Sequence, residues 1–218
     1  MQSAVLKKAI MAVTGVVLFG WIFAHMFGNL KIFFGRESFN HYAEFLREMG
    51  SPLIPPSGLL WGSRLVLLGA VGLHIWAATA LTLQNRRARP IGYRELQSLE
   101  PDYAARTMRM SGYLLAIYIV YHLMHLTFGS VHTQFVPTDP YSNVVKAFQV
   151  FPVAAVYIFA NLLLGLHLYH GLWSFFQSLG FSHPAYNAWR RSFAVTFAIA
   201  VSLGFISVPL GVLAGIVS

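Results

Sequence analysis

Five long apolar runs, separated by polar or Pro/Gly-rich segments, dominate the pattern of hydrophobic positions in this chain of 218 residues. The runs cover about residues 9–34, 59–83, 110–128, 150–176 and 193–217. Each run approaches or exceeds the ~20 residues that an α-helix needs to cross ~30 Å of hydrocarbon. The pattern therefore predicts an all-α fold, in which residues 1–218 form a single membrane bundle of five transmembrane helices.

A shorter amphipathic pattern follows the first run, over residues 37–49. Its apolar side chains Phe39, Tyr42, Phe45 and Met49 recur at helical spacing, and charged residues stand between them. Such a segment is typical of a short helix that lies in the membrane interface.

The composition agrees with a membrane protein and restricts the chemistry that this chain can carry. Only 10% of the residues are charged, against roughly 25% in soluble domains. The chain has no cysteine, which excludes cysteine-ligated zinc and iron–sulfur clusters within it. Its net charge of +8 suits a membrane protein that contacts anionic lipid. We therefore expect no nucleic-acid partner.

The distribution of basic residues predicts the orientation of the bundle. Ten lysines and arginines lie on the side of the N-terminus and five on the opposite side, counted over the loops and the ends of the runs. Because the cytoplasmic side carries the excess of basic residues, we expect a cytoplasmic N-terminus and an external C-terminus, in a cell membrane.

Histidine is the residue that gives these apolar runs a candidate function, because four of the five contain it. With the predicted orientation, His25 in the first run and His122 and His125 in the third fall in the outer half of the membrane. His74 in the second run and His167 in the fourth fall in the inner half, with His170 one turn deeper, at a rise of about 1.5 Å per residue.

Matched depth on two pairs of helices is what axial ligation of haem requires, since two neutral imidazoles from different helices face each other across one iron. The two layers therefore predict two haems b. Spacing does not choose between His122 and His125, or between His167 and His170, because each pair is three residues apart on one helix face. The alternative for any one of them is a hydrogen bond to a neighbouring helix. His41, His132 and His183 fall in loops, and we expect them to be surface residues.

Three strings carry a resemblance to a known family: TGVVLFGWIFAHMFGNLKIFFG, RTMRMSGYLLAIYIVYHLMHLTFG and GLHLYHGLWSFFQSLG. They resemble the five-helix, two-haem cytochrome b subunit of succinate dehydrogenases and fumarate reductases, over essentially the whole chain. The resemblance implies that His25 and His122 bind the iron of the outer haem and that His74 and His167 bind that of the inner haem. His125 would then be a neighbouring or packing residue, as would His170.

The same resemblance implies partners and a pathway. The chain would anchor a flavoprotein subunit and an iron–sulfur subunit in the membrane, and higher oligomers of the complex are conceivable. Electrons from succinate, in a reaction of the tricarboxylic acid cycle, would pass from the iron–sulfur subunit through the two haems to a quinone, menaquinone by analogy. Glu44, Glu48 and Arg47 lie where the family is expected to have its quinone carboxylate, although they are equally explained as solvated residues of the interfacial helix.

Two other functions compete with this interpretation. The membrane subunit of a hydrogenase or formate dehydrogenase also binds haem and reacts with quinone, but would distribute its ligands differently among the helices. A proton or metal transporter lined by histidine would be expected to carry acidic residues inside the runs, where this sequence has none.

Overall fold

The computed structural model describes residues 3–88, 99–178, 180 and 183–218. Regular secondary structure within these residues is entirely helical. The helices are α1 (Ala4–Leu30), α2 (Arg36–Glu48), α3 (Gly58–Ala88), α4 (Leu99–His122), α5 (Pro140–Phe148), α6 (Phe151–Ser178) and α7 (Pro184–Leu213). A 3₁₀ turn (Lys31–Phe34) continues α1, and a π-helical turn (Leu123–Thr127) continues α4.

Five of these helices, α1, α3, α4, α6 and α7, are long and apolar enough to cross a membrane. The predicted fold class is confirmed, and the chain is a multi-pass membrane protein. Several boundaries differ from the hydrophobic pattern, because α1, α4 and α7 each begin in the polar residues that precede the run. Helix α3 continues through its polar end to Ala88, whereas α7 ends at Leu213 because the backbone turns back at Gly215, whose φ is +70°.

The amphipathic helix predicted after the first run is present as α2, with Phe39 buried on its apolar face. Helix α5 lies in the polar segment between the third and fourth runs, where the hydrophobic pattern does not predict a helix. A local signal explains the difference, since Asp139 caps the helix and Pro140 stands in its first turn, two residue types that favour a helix start.

Asp139 also ties α5 to α2. Its carboxylate accepts hydrogen bonds from the Ser142 N–H at 3.2 Å, from Asn40 Nδ2 at 2.8 Å and from Arg36 Nη2, while Asn40 Oδ1 accepts from the Tyr141 N–H at 3.0 Å. Burial on its own raises the pKa of Asp139, but these hydrogen bonds outweigh it and lower the pKa to about 2. The two short helices therefore form one structured cap over the end of the bundle that lies opposite the N-terminus.

The spanning helices pack as two pairs joined by α7. Helix α3 packs on α1, α4 packs on α6, and α7 lies against both α6 and α1. Between the two pairs, α1 contacts α6 directly, whereas α1 and α3 barely approach α4 and α3 barely approaches α6 among the described residues. Side chains therefore make most of the contact between α3 and the α4/α6 pair.

Two glycines allow the closest contacts with α7. A Cβ at Gly165 of α6 would overlap the hydroxyl of Ser202, and a Cβ at Gly204 would overlap the sulfur of Met26 on α1. Ser202 in turn donates to the Asn161 carbonyl at 3.2 Å. Close approach of this kind stabilises helix pairs in lipid, where hydrophobic burial does not drive association.

We expect Gly165→Ala to destabilise the bundle, although alanine is the better helix former. The added Cβ forces Ser202 to move and to give up its hydrogen bond, at a cost of about 1–3 kcal/mol for overpacking. Thermal unfolding in detergent measures this cost. The matched control is Gly171→Ala on the same helix, where no atom lies within 4 Å of the added Cβ. If the double variant Gly165→Ala/Ser202→Ala were no more stable than Gly165→Ala, the overlap would not be the cause.

Candidate haem site

Four histidines from four helices meet in pairs between the two halves of the bundle. The imidazole centroids of His25 on α1 and His122 on α4 are 5.9 Å apart, with their planes at 78°. Those of His74 on α3 and His167 on α6 are 6.4 Å apart, at 67°. These are the pairs that the sequence places at matched depths.

The separation within each pair suits two ligands on one metal ion. A metal–imidazole bond is about 2.0–2.1 Å long, and the ring centroid lies about 1 Å behind its nitrogen, so two axial imidazoles place their centroids roughly 6 Å apart. In the described part of the chain, no group of three or more metal-ligating side chains is assembled. Two imidazoles are nevertheless enough for haem iron, because the porphyrin supplies the other ligands.

His74 and His167, which we call the inner pair because the sequence predicts them in the inner half of the membrane, are held by two hydroxyl groups. Thr14 Oγ1 lies 3.2 Å from His74 Nδ1, and Ser111 Oγ lies 3.3 Å from His167 Nδ1. Each hydroxyl already donates its hydrogen along its own helix, Thr14 to the Ile10 carbonyl at 2.7 Å and Ser111 to the Met108 carbonyl at 3.0 Å.

This arrangement favours one tautomer of both inner histidines. While each hydroxyl donates to the carbonyl of its own helix, its oxygen accepts a hydrogen from the imidazole Nδ1. The lone pair of each neutral ring is then on Nε2, which is the nitrogen free to bind iron. A hydrogen bond of this kind on the second ring nitrogen is the usual support of a metal-ligating histidine.

A glycine follows each of these hydroxyl residues and lies against the imidazole. A Cβ at Gly15 would stand 3.6 Å from His74 Cε1, and a Cβ at Gly112 would stand 3.3 Å from His167 Cε1. At Gly112 even a methyl group would be crowded. The Thr-Gly and Ser-Gly steps therefore let α3 and α6 present their histidines close to α1 and α4.

The two halves of the bundle repeat the same local design. In α1, His25 follows Thr14 by 11 residues, and in α4, His122 follows Ser111 by 11 residues. Each of these helices thus supplies one outer histidine directly and supports one inner histidine through its hydroxyl. This repeat is visible in the sequence, but histidine spacing alone does not reveal it.

Aromatic rings surround the outer pair. Trp21 stacks on His25 at 5.9 Å, and Tyr118 and Tyr157 each lie 5.9 Å from His122, measured between ring centroids. The Nδ1 atom of His122 is buried without a hydrogen-bond partner among the described residues. A buried polar atom without a partner is rare, and its presence here agrees with a site that is completed by a further group.

The third-helix and fourth-helix alternatives, His125 and His170, lie outside the pairs. His125 is buried, and its Nδ1 is 3.0 Å from the Tyr157 hydroxyl. His170 Nε2 is 3.5 Å from Thr107 Oγ1. Both residues thus have polar partners of their own on a neighbouring helix.

Two of the three loop histidines have structural roles that the sequence did not suggest. His132 was expected at the surface; instead its ring is half-buried, stacks on His125 at 5.0 Å, and its Nε2 lies 2.9 Å from the Asn143 carbonyl. His183 caps the start of α7, where its Nδ1 accepts from the Ala185 N–H at 3.2 Å. His41 is exposed on α2, as expected.

The predicted quinone residues lie on α2 and do not touch the histidine pairs. Glu44 and Glu48 are exposed, and Arg47 donates to the Pro137 carbonyl at 3.2 Å. The nearest link between α2 and the outer pair is Tyr42, which packs against Gly28, one turn beyond His25 on α1. A separate apolar pocket of about 360 Å³ opens between α4 and α6, lined by Tyr121, Pro152, Val153 and Val156.

Comparison with known proteins gives one match. No curated protein and no solved structure matches the chain. Residues 100–206, which include α4, α5, α6 and most of α7, match the family of the succinate dehydrogenase/fumarate reductase transmembrane subunit. The matched segment carries His122 and His167, one member of each histidine pair, and it supports the family to which the sequence motifs point.

Proposed function

We propose that this chain is the cytochrome b membrane anchor of a succinate:quinone oxidoreductase. The observation that carries the proposal is the close approach of His25 to His122 and of His74 to His167, together with the family match over residues 100–206. The chain would bind two haems b, anchor a flavoprotein and an iron–sulfur subunit at the face of the N-terminus, and serve a quinone in the membrane. That face would be cytoplasmic, in accordance with its excess of basic residues.

Each residue of the pairs has a definable task in this function. His25 and His122 would hold the outer haem, and His74 and His167 the inner haem, each through a neutral ring. Bound haem supplies a one-electron carrier at each level. Thr14 and Ser111 keep the inner imidazoles in the Nδ1–H tautomer, while the surrounding apolar helices keep water and competing ligands away.

The hydrogenase or formate dehydrogenase alternative lacks an observation that favours it, since the family match points to succinate dehydrogenase and fumarate reductase. A histidine-lined transporter would not require the imidazoles to be paired at a metal-ligand separation. An absorption spectrum separates the transporter from the haem protein, because only the latter has a Soret band.

We expect His74→Ala or His167→Ala to remove the inner haem, and His25→Ala or His122→Ala to remove the outer one. Pyridine haemochrome quantitation on the purified complex should fall from two haems per chain to one. His125→Ala and His170→Ala are the matched controls from the same two helices and should retain both haems. Loss of a haem in His125→Ala together with retention in His122→Ala would reverse the assignment of the outer ligand.

Thr14→Val and Ser111→Ala test the hydroxyl support of the inner pair. Each variant removes the acceptor of one Nδ1–H, so haem binding at the inner level should weaken by about 10–100-fold, the range for a lost partner of a metal-ligating histidine. The inner-haem signal in a reduced-minus-oxidised spectrum should diminish while the outer one remains. Ser207→Ala, a hydroxyl on α7 that donates only to Gly204 of its own helix, is the control. Equal loss from both haems would indicate general destabilisation instead.

We propose that quinone reacts at the outer end of the bundle, where a proton-accepting group and an apolar slot are both needed. If the α2 carboxylates take part, Glu44→Gln or Glu48→Gln should lower succinate:quinone activity several-fold without changing succinate oxidation by a soluble acceptor. Glu37→Gln, an exposed carboxylate in the first turn of α2, is the control. Unchanged quinone activity in both variants would exclude these carboxylates and direct attention to the pocket beside Tyr121.

A further inference from the structure

A second pocket lies at the opposite end of the bundle, in the seam between α3 and α4. It has a volume of about 470 Å³ and is lined by Thr79, Thr82, Leu83, Arg86, Arg109, Met110 and Tyr113. Lys7 Nζ, near the start of α1, donates to Gln84 Oε1 at 3.1 Å, which places this end of α3 at the face of the N-terminus. None of the four paired histidines lines the pocket.

Its polar lining suits an oxyanion. Arg86 and Arg109 contribute two guanidinium groups, and the Thr79 and Tyr113 hydroxyls lie 3.3 Å from each other across the seam. Arginine binds carboxylate and phosphate in a fork of two hydrogen bonds.

The remaining lining suits an apolar chain. Leu83 and Met110 are about half exposed or more, at 49% and 60%, and Tyr113 is exposed at 51%. Helices α3 and α4 make little backbone contact in the described residues, so the seam continues along the apolar surface of both helices. A ligand of this pocket would therefore have an anionic head at the membrane edge and an apolar part directed into the bilayer.

We propose that this seam binds the phosphate headgroup of an anionic phospholipid. Basic pockets between helices on the cytoplasmic side are suited to such headgroups. The position of the pocket also allows another group to supply the oxyanion. Tyr113 is two residues from Ser111, and Thr79 is about 7.5 Å along α3 from His74 at the helical rise. The carboxylates of an inner porphyrin could thus supply the oxyanion, an assignment that rests on the proposed haem function.

The test compares Arg86→Gln and Arg109→Gln with Arg87→Gln, an exposed arginine of the same α3 turn that does not line the pocket. The assembled complex is delipidated in detergent and titrated with phosphatidylglycerol, with phosphatidylcholine as the neutral comparison. Loss of a charge-assisted hydrogen bond should weaken retention of phosphatidylglycerol by about 10–100-fold in the two pocket variants. Arg87→Gln should bind phosphatidylglycerol as the wild type does. Arg109→Lys should bind it with an affinity between those of the wild type and Arg109→Gln, because lysine keeps the charge but cannot form the fork of two hydrogen bonds.

The midpoint potentials of the haems, measured on the same samples, identify the source of the oxyanion. Weaker phosphatidylglycerol binding with unchanged potentials supports the lipid. Unchanged lipid binding with a lowered potential of one haem overturns the lipid and assigns the arginines to porphyrin carboxylates. Equal behaviour of all three glutamine variants in both measurements overturns the site altogether.

A colourless complex would contradict the haem proposal, while its lipid titration would still decide the lipid proposal. If Arg109→Gln does not assemble, Arg86→Gln and Arg109→Lys give the same comparison.

Discussion

An imidazole in hydrocarbon must have a partner, and this requirement governs the interior of the bundle. A buried polar group without a hydrogen bond costs several kcal/mol in an apolar medium. The inner histidines meet the requirement on Nδ1 through Thr14 and Ser111, and the rings of His74 and His167 lie next to each other with their centroids 6.4 Å apart. The second nitrogen of each imidazole is the atom that a bound group would have to satisfy.

The packing of α7 helps to fix how the two helix pairs lie relative to each other. Helix α7 contacts α6 at Gly165, and its own Gly204 contacts Met26 of α1, so it connects the two pairs, which also meet directly where α1 contacts α6. The cap formed by α2 and α5 restrains one end in a similar way, through the hydrogen bonds of Asp139. Helix α7, the fifth spanning helix, therefore has a structural task.

The sequence predicts those features that depend on one helix at a time. Apolar runs predicted the number of spanning helices. Histidine depth placed His25 at the level of His122 and His125, and His74 at the level of His167 and His170, and only the family resemblance selected His122 and His167. Features that depend on how segments fold back were missed. His132 was expected at the surface, but α5 places the Asn143 carbonyl next to its ring. The hydroxyl partners of the inner pair were also missed, because they come from neighbouring helices. A signal for the latter does exist, because Thr14-Gly15 and Ser111-Gly112 precede His25 and His122 by the same interval. The meaning of that interval becomes clear only in the structure, where His74 contacts Thr14 and Gly15 and His167 contacts Ser111 and Gly112.

The repeated design nevertheless produces two unequal sites. At the inner level both imidazoles have a hydroxyl partner, and a hydrogen bond that they donate to it would increase the electron density on the nitrogens proposed to bind iron. At the outer level the aromatic rings of Trp21, Tyr118 and Tyr157 surround the pair instead. Ligand hydrogen bonding and polarity are the means by which a protein adjusts the potential of haem. Two haems held in these surroundings would differ in potential although their axial ligands are the same. A difference of this kind would favour one direction of electron transfer between the two proposed haems, and it would arise from the side chains that neighbour their histidines.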